Sequence, residues 1–184
     1  MVRSYIVLSI ILLFLSCNKD NTPRVYTLAK IQKPRLDVSE IQQFTWDTPD
    51  FWIEEEVGSN SLRLATYKIL LDNKESSDLS ITKFKGDAGG ILLNVNRWRR
   101  QLDLPPESLE VIESTSLKGI SKLGDFIIYK LINDELNKAF LCMILELPSE
   151  TIFAKLSSTK SNINDLEQDF INFCSSFRLV KNEE

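Results

Sequence analysis

Residues 125–157, DFIIYKLINDELNKAFLCMILELPSETIFAKLS, decide the fold of this chain. Three runs rich in strand-forming residues, 125–132, 138–147 and 151–157, are separated by short segments that contain the turn pairs Asn-Asp and Pro-Ser. Connections this short cannot hold a crossover helix, so consecutive strands must pair antiparallel. The middle run is apolar on both faces, which predicts a central strand.

Apolar residues at helical spacing predict two amphipathic helices outside this block, over 88–102 and over 162–178. A shorter helix is expected after Pro105-Pro106, because proline is tolerated at a helix start. Both long helices should pack on the sheet by their apolar stripes. The stripes consist of Ile91, Val95, Trp98 and Leu102 in the first helix, and of Ile163, Leu166, Phe170, Phe173 and Phe177 in the second.

The N-terminal half of the domain also has strand character. Residues 44–57 contain two short strand-like pieces broken at Pro49, and the runs 61–71 and 78–84 are rich in strand formers or alternate apolar with polar residues. The sequence therefore predicts one α+β domain over 44–180, with a mainly antiparallel β-sheet and helices packed on it.

The first seventeen residues, MVRSYIVLSIILLFLSC, are typical of an export signal. Arg3 precedes a ten-residue apolar run, which is shorter than the roughly 20 residues needed to cross a bilayer. The ending Ser16-Cys17 resembles the lipobox of bacterial lipoproteins, in which the cysteine is lipidated and becomes the mature N-terminus. The resemblance implies a signal peptide at 1–16 and a lipidated tether at 17–43; the alternative is a plain signal with an incidental cysteine.

Composition excludes several classes of function. The chain has 184 residues, a net charge of −4 and no histidine. An acidic chain without a basic tail is not expected to bind nucleic acid. Without histidine there is no Ser-His or Cys-His nucleophile, and the commonest zinc ligand is absent. No motif indicates a metal or a cofactor, and carboxylates, lysine and tyrosine remain for catalysis.

The glycine-rich stretch KGDAGGILLNVNRWRR, residues 85–100, allows two interpretations. In one, the amides of Gly89 and Gly90 at a helix start hold an anion together with Arg97. In the other, Asp87 caps the helix and the glycines allow the turn to lie close to the sheet. The spacing matches neither nucleotide-binding glycine motif, which favours the structural interpretation.

Other candidate residues also have a structural alternative. Trp46, Phe51 and Trp52 form either a platform for a ligand or partner, or part of the core, and the core is favoured. Cys142 and Cys174 either pair across the helix and sheet layers or remain free, and free thiols are favoured. A carboxylate enzyme would draw its acids from the set Glu54, Glu55, Glu56, Asp72 and Asp87.

The element order and a few residues resemble the PsbP-like proteins, which are extrinsic subunits of photosystem II and their bacterial relatives. The segment 49–52, Pro-Asp-Phe-Trp, is similar to the Pro-x-Gly-Trp start of their second strand, with Phe51 in place of glycine. The strand LRLATYKI and a last helix ending in Cys-Ser-Ser-Phe also look like that group and like bacterial lipoproteins with the same layout. The resemblance implies an α/β/α sandwich and a membrane-associated accessory role without catalysis.

These observations together predict a non-catalytic lipoprotein of the bacterial envelope that binds a protein partner. Its lipid anchor is expected at Cys17, in the outer membrane facing the periplasm rather than in the inner membrane. A carboxylate-based envelope hydrolase and a small-ligand-binding lipoprotein are the alternatives.

Overall fold

The structure is a computed structural model that describes residues 44–58, 62–71 and 75–180. The predicted signal, Cys17, the tether and Asp72 lie outside the described residues. The elements, in chain order, are β1 (Phe44–Thr45), β2 (Trp52–Glu55), β3 (Arg63–Leu70), β4 (Ser76–Lys85), α1 (Gly90–Gln101), α2 (Leu109–Ser114), β5 (Leu117–Ile120), β6 (Asp125–Asn133), β7 (Lys138–Glu146), β8 (Glu150–Ser158), α3 (Lys160–Ser175) and β9 (Arg178–Leu179).

Seven strands form one antiparallel sheet in the order β2-β3-β4-β8-β7-β6-β5, and β1 pairs with β9 in a small ribbon. The predicted pairing of the three strands is confirmed: Cys142 of β7 lies opposite Tyr129 of β6 and Lys155 of β8. The middle strand of the seven is β8 rather than β7, because β4 pairs along the free edge of β8, with Ile81 opposite Ala154. The predicted α+β class is confirmed.

Helix α3 covers one face of the sheet. All five residues of its predicted stripe are buried. The helix begins after Thr159, whose side-chain oxygen accepts a hydrogen bond from the Asn162 amide (3.4 Å), and it ends at Ser175, three residues earlier than predicted. Ser176 is the C-cap of the helix. Its hydroxyl accepts a hydrogen bond from the Asp47 amide (2.8 Å), which connects the end of the helix to the segment after β1. Phe177 therefore anchors the exit from the helix.

The opposite face carries α1 and α2, so the sheet lies between two helical layers. Val95, Trp98 and Leu102 are buried there as predicted, and Ile91 is half-buried. Helix α1 begins two residues later than predicted, at Gly90, since Ala88 and Gly89 before it have a positive φ that a regular helix does not allow.

The two described cysteines are free and lie on opposite faces of the sheet. Cys142 packs among the residues beneath α1, whereas Cys174 belongs to α3 and packs in the core on the other face. The sheet therefore separates the two sulfur atoms. The prediction of free thiols agrees with this arrangement.

Candidate functional site

A cavity of about 290 Å³ lies between α1, α2 and β6, and we call it the helix cavity. Its walls combine apolar side chains with an equal number of polar ones. The apolar ones are Val95, Leu104, Ile112, Leu131 and Ile132, and the polar ones are Arg99, Glu107, Thr115, Tyr129 and Lys130. Its volume lies just below the range of about 300–1,000 Å³ that is usual for small-molecule sites. The helix cavity can therefore hold a small molecule but not a large cofactor.

The loop between α1 and α2 is fastened to α1, which keeps the helix cavity in shape. Asn96 exchanges two hydrogen bonds with the backbone of Glu107, each 2.9 Å long. The Arg99 guanidinium donates to the Pro105 carbonyl (2.7 Å) and pairs with the Glu107 carboxylate (2.9 Å). Arg99 lines the cavity but already has partners, so its main effect is to hold the loop.

Tyr129 lines the helix cavity, and its hydroxyl is buried in the cavity wall. Its side chain is only 2% exposed, and its hydroxyl has no hydrogen-bond partner among the described residues. Burial, followed by the charges of Glu113 and Glu146, raises the pKa of Tyr129 to about 12, so the phenol is neutral at physiological pH. A buried hydroxyl without a partner costs about 1–3 kcal/mol. A hydrogen-bonding partner from outside the chain would remove this energetic cost.

The cavity contains little that could catalyse a reaction. The one carboxylate that lines it belongs to Glu107, which is held by Arg99. Glu54, Glu55, Glu56 and Asp87 are exposed and do not line it. Among the described residues, no group of three or more side chains is arranged to hold a metal ion. The arrangement is suited to binding.

The three aromatic residues predicted as a platform do not share one exposed surface. Trp52 is 5% exposed and lies in the core, and the Trp46 ring stacks on Phe177 with centroids 5.1 Å apart. The Trp46 indole also donates to the Tyr67 hydroxyl (2.9 Å). Only Phe51, at 44% exposed, is open to a partner. The core interpretation therefore describes both tryptophans.

The turn before α1 is built for structure. The Asp87 carboxylate accepts the amide of Gly89 (3.2 Å), and the Asp87 backbone carbonyl accepts the amide of Gly90 (3.0 Å), so both amides proposed to hold an anion already have partners. The residue at the helix N-cap is Gly89 rather than Asp87, which was the predicted cap. Thr151 donates to the Gly86 carbonyl (2.6 Å) and fastens the turn to the sheet. Arg97 comes seven residues after Gly90, about 10 Å farther along the helix axis. The structure thus separates Arg97 from Gly89 and Gly90.

Sequence reasoning missed the helix cavity and its hydroxyl. The available signal was Tyr129 itself, a hydroxyl group at a strand position whose neighbours on the same face, Ile127 and Leu131, are apolar. The alternation of β6 indicates that Tyr129 points away from Ile128, but it does not indicate that α2 will lie above it.

Comparisons with known proteins give structural neighbours only. No protein-family model and no curated protein sequence matches the chain. The fold is similar to the solution structure of cyanobacterial PsbP (CyanoP) from Synechocystis, with 13% identity, a TM-score of 0.47, and coverage of 78% of this chain and 96% of that one. The expected PsbP-like resemblance is thus found among the neighbours.

Two further structures have a similar fold. LpqN of Mycobacterium tuberculosis, described as involved in cell envelope biogenesis, shares 10% identity at a TM-score of 0.44 and is covered over 88% of its length, with 78% of this chain. A crystal structure from Bacteroides thetaiotaomicron shares 12% identity at a TM-score of 0.41, over 77% of this chain and 46% of that one. Likenesses this distant transfer no residue and no activity to this chain.

Proposed function

We propose that this protein is a non-catalytic, lipid-anchored binding protein of the bacterial envelope, and that it holds a small amphiphilic molecule in the helix cavity. The observation that carries the proposal is the Tyr129 hydroxyl, which is buried in the wall of the helix cavity without a partner among the described residues. A ligand with an apolar body and one hydrogen-bonding group fills the space between Leu104, Ile112 and Leu131, and it reaches this hydroxyl when the side chains around the hydroxyl move aside.

The ligand is expected to be neutral where it meets Tyr129. The negative charges of Glu113 and Glu146 act on this phenol, and an anionic group placed beside it would be repelled by both. A carbonyl, amide or hydroxyl group accepts or donates a hydrogen bond without bringing a charge into the cavity. Small uncharged amphiphiles therefore fit the site better than organic acids.

The envelope location rests on the sequence of residues 1–17. An export signal followed by Cys17 supports a lipid anchor, with the outer membrane facing the periplasm as the expected site. Within the described residues, no helix is long and apolar enough to cross a membrane. In this proposal the acyl chains on Cys17 hold the protein at the membrane, and the domain carries out the binding.

The binding proposal is tested by native mass spectrometry of the protein extracted from its own membranes. Wild type should carry a small adduct, and Tyr129→Phe should lose most of it, because one hydrogen bond to a neutral group contributes up to about 1.5 kcal/mol, or roughly tenfold in affinity. Tyr67→Phe is the matched control, since it removes a phenol hydroxyl on the other face of the sheet. Equal adducts on all three proteins, or none on wild type, contradict the proposal.

A second candidate function, binding of a partner protein, is favoured by the open edge of β2. This strand lies at the edge of the sheet, so its outer backbone groups face no strand of the described residues. Phe51, just before the strand, is 44% exposed, and Ile53 within it is 50% exposed. An extended segment of a partner can add to such an edge by backbone hydrogen bonds. Binding of a partner at this edge fits the accessory role in a membrane complex that the PsbP-like resemblance implies.

The β2 edge is tested by crosslinking in intact cells from a photoreactive residue placed at Ile53. A crosslink to one defined protein supports the accessory role, and the same residue placed at Leu136, in the turn between β6 and β7, is the control. Crosslinks of equal pattern from both positions would contradict a specific partner at this edge.

A further inference from the structure

The outer side of α1 carries a second concave surface, with a volume of about 280 Å³, which we call the α1 groove. It is lined by Leu93, Asn96, Arg97, Arg100, Leu104 and Pro106. From this groove we infer that α1 binds the phosphate headgroup of an anionic phospholipid at the membrane surface. This inference is independent of the helix cavity and of its ligand.

Two arginines provide the charge for such a contact. Arg97 and Arg100 are three residues apart, which places them side by side on one face of the helix. Neither makes a hydrogen bond or an ion pair with any described residue, whereas Arg99 is held by Glu107. Two adjacent guanidinium groups can donate several hydrogen bonds to one phosphate.

The acidic residues beside the groove are Asp103 and Glu107; neither forms an ion pair with Arg97 or Arg100, and Glu107 pairs with Arg99 instead. Helix α1, Gly90–Gln101, contains three arginines and no acidic residue. Lys155 lies close enough for Arg97 to lower its pKa, after the larger effect of burial, so the α1 side of the sheet gains a further cation. The positive charge is local, because the chain as a whole has a net charge of −4.

The apolar part of the groove distinguishes a lipid from a soluble anion. Leu93 is 67% exposed at one side of the groove, and Leu104 and Pro106 form its apolar lining. A free phosphate ion gains nothing from an exposed leucine. A phospholipid places its phosphate on the arginines and its glycerol and upper acyl carbons against Leu93, as in interfacial helices that combine basic and apolar residues.

The length of the preceding segment allows this contact. Residues 18–43 separate Cys17 from the first described strand. Twenty-six residues reach at most about 90 Å when fully extended, so an anchor at Cys17 leaves α1 free to lie at the surface of the same membrane. Each arginine near an anionic surface contributes about 1 kcal/mol, so the pair should change the ratio of membrane-bound to unbound α1 by roughly 30-fold.

The test places an environment-sensitive fluorophore on α1 through Leu93→Cys, since both described native cysteines are fully buried. The full-length protein from membranes is reconstituted into vesicles of phosphatidylcholine alone, or of phosphatidylcholine and phosphatidylglycerol in equal parts. Spin-labelled lipids should quench the fluorophore only in the anionic vesicles. The same label introduced through Asn164→Cys, at an exposed position of α3 on the opposite face of the sheet, should not be quenched in either kind of vesicle.

The double variant Arg97→Gln/Arg100→Gln should reduce the ratio of quenched to unquenched α1 about 30-fold. The matched control, Lys122→Gln/Lys138→Gln, removes the same charge from exposed lysines away from the groove and should leave quenching unchanged. Equal loss in both double variants, or equal quenching in both kinds of vesicle, would overturn the inference. It would also be overturned if inorganic phosphate without vesicles changed the fluorescence as much as the anionic vesicles do, because the groove would then bind a soluble anion.

Discussion

Replacing Phe173 by alanine removes the ring around which the core beneath α3 is organised. Phe173 is 1% exposed, and its ring contacts four other aromatic rings. The centroid distances are 5.1 Å to Phe177, 5.4 Å to Trp52, 6.1 Å to Phe170 and 6.3 Å to Trp46. The helix, the strand β2 and the segment after β1 all meet at this residue, so none of them can close the gap without moving the others.

The expected cost of Phe173→Ala lies near the upper end of the usual range for such changes. A buried phenylalanine cut to alanine costs about 3–5 kcal/mol, and a cavity lined by large rigid rings collapses poorly. We therefore expect a loss of about 4–5 kcal/mol in the free energy of unfolding. For a domain of this size the melting temperature should fall by about 15 °C.

Urea unfolding followed by circular dichroism measures this cost, with Phe51→Ala as the matched control. Phe51 undergoes the same chemical change but is 44% exposed and touches one ring, that of Trp52, with centroids 6.4 Å apart. The control should lose less than about 1 kcal/mol. If the two variants unfolded at the same urea concentration, the packing of α3 described above would be refuted.

Three further predictions follow from the cavity, the anchor and the thiols. In ligand-free protein, Tyr129→Phe should leave the free energy of unfolding unchanged or raise it by up to about 1–3 kcal/mol, because it removes an unpaired buried hydroxyl; a clear loss in urea unfolding would show that the hydroxyl is already bonded. Cys17→Ser should release the protein from membranes or leave an unprocessed precursor, and unchanged mass and membrane association would contradict the anchor. Burial raises the pKa of the Cys142 and Cys174 thiols above their ordinary value of 9.0 and that of Tyr129 from 10.0 to about 12. Stability should therefore be fully present below pH 9 and fall as pH rises towards 12, because the unfolded chain releases these protons first; a flat profile of urea midpoints over that range would contradict it.

The parts of the fold that sequence predicted are those fixed by local pattern. The strand pairing of β6, β7 and β8 follows from short connections, and the stripe of α3 follows from its spacing. Strand β5 was missed because it is four residues long and mostly exposed at a sheet edge, so its pattern shows no buried face. The first strand-like piece predicted over 44–57 covers β1, but its pairing with β9 was missed, because the two-residue strands lie more than 130 residues apart in the sequence.

The candidate site was harder to predict because the cavity is lined by residues from elements that are separate in the sequence, namely α1, α2 and β6. Trp46, Phe51 and Trp52 are neighbours in sequence, but only the packing of α3 decides which of them face inward. Arg97 is near Gly90 in sequence but is two helical turns away in space. The Tyr129 hydroxyl is buried because α2 packs over β6, and no pattern in the sequence of either element predicts that contact.

The most direct test of the binding proposal is a crystal structure of the protein purified from its own membranes without denaturation, at a resolution that distinguishes water from an organic molecule. The proposal predicts connected density in the helix cavity between Leu104, Ile112 and Leu131, with a polar atom about 2.7–3.0 Å from the Tyr129 hydroxyl. A cavity that holds only a water molecule on that hydroxyl, or no density at all, would contradict it.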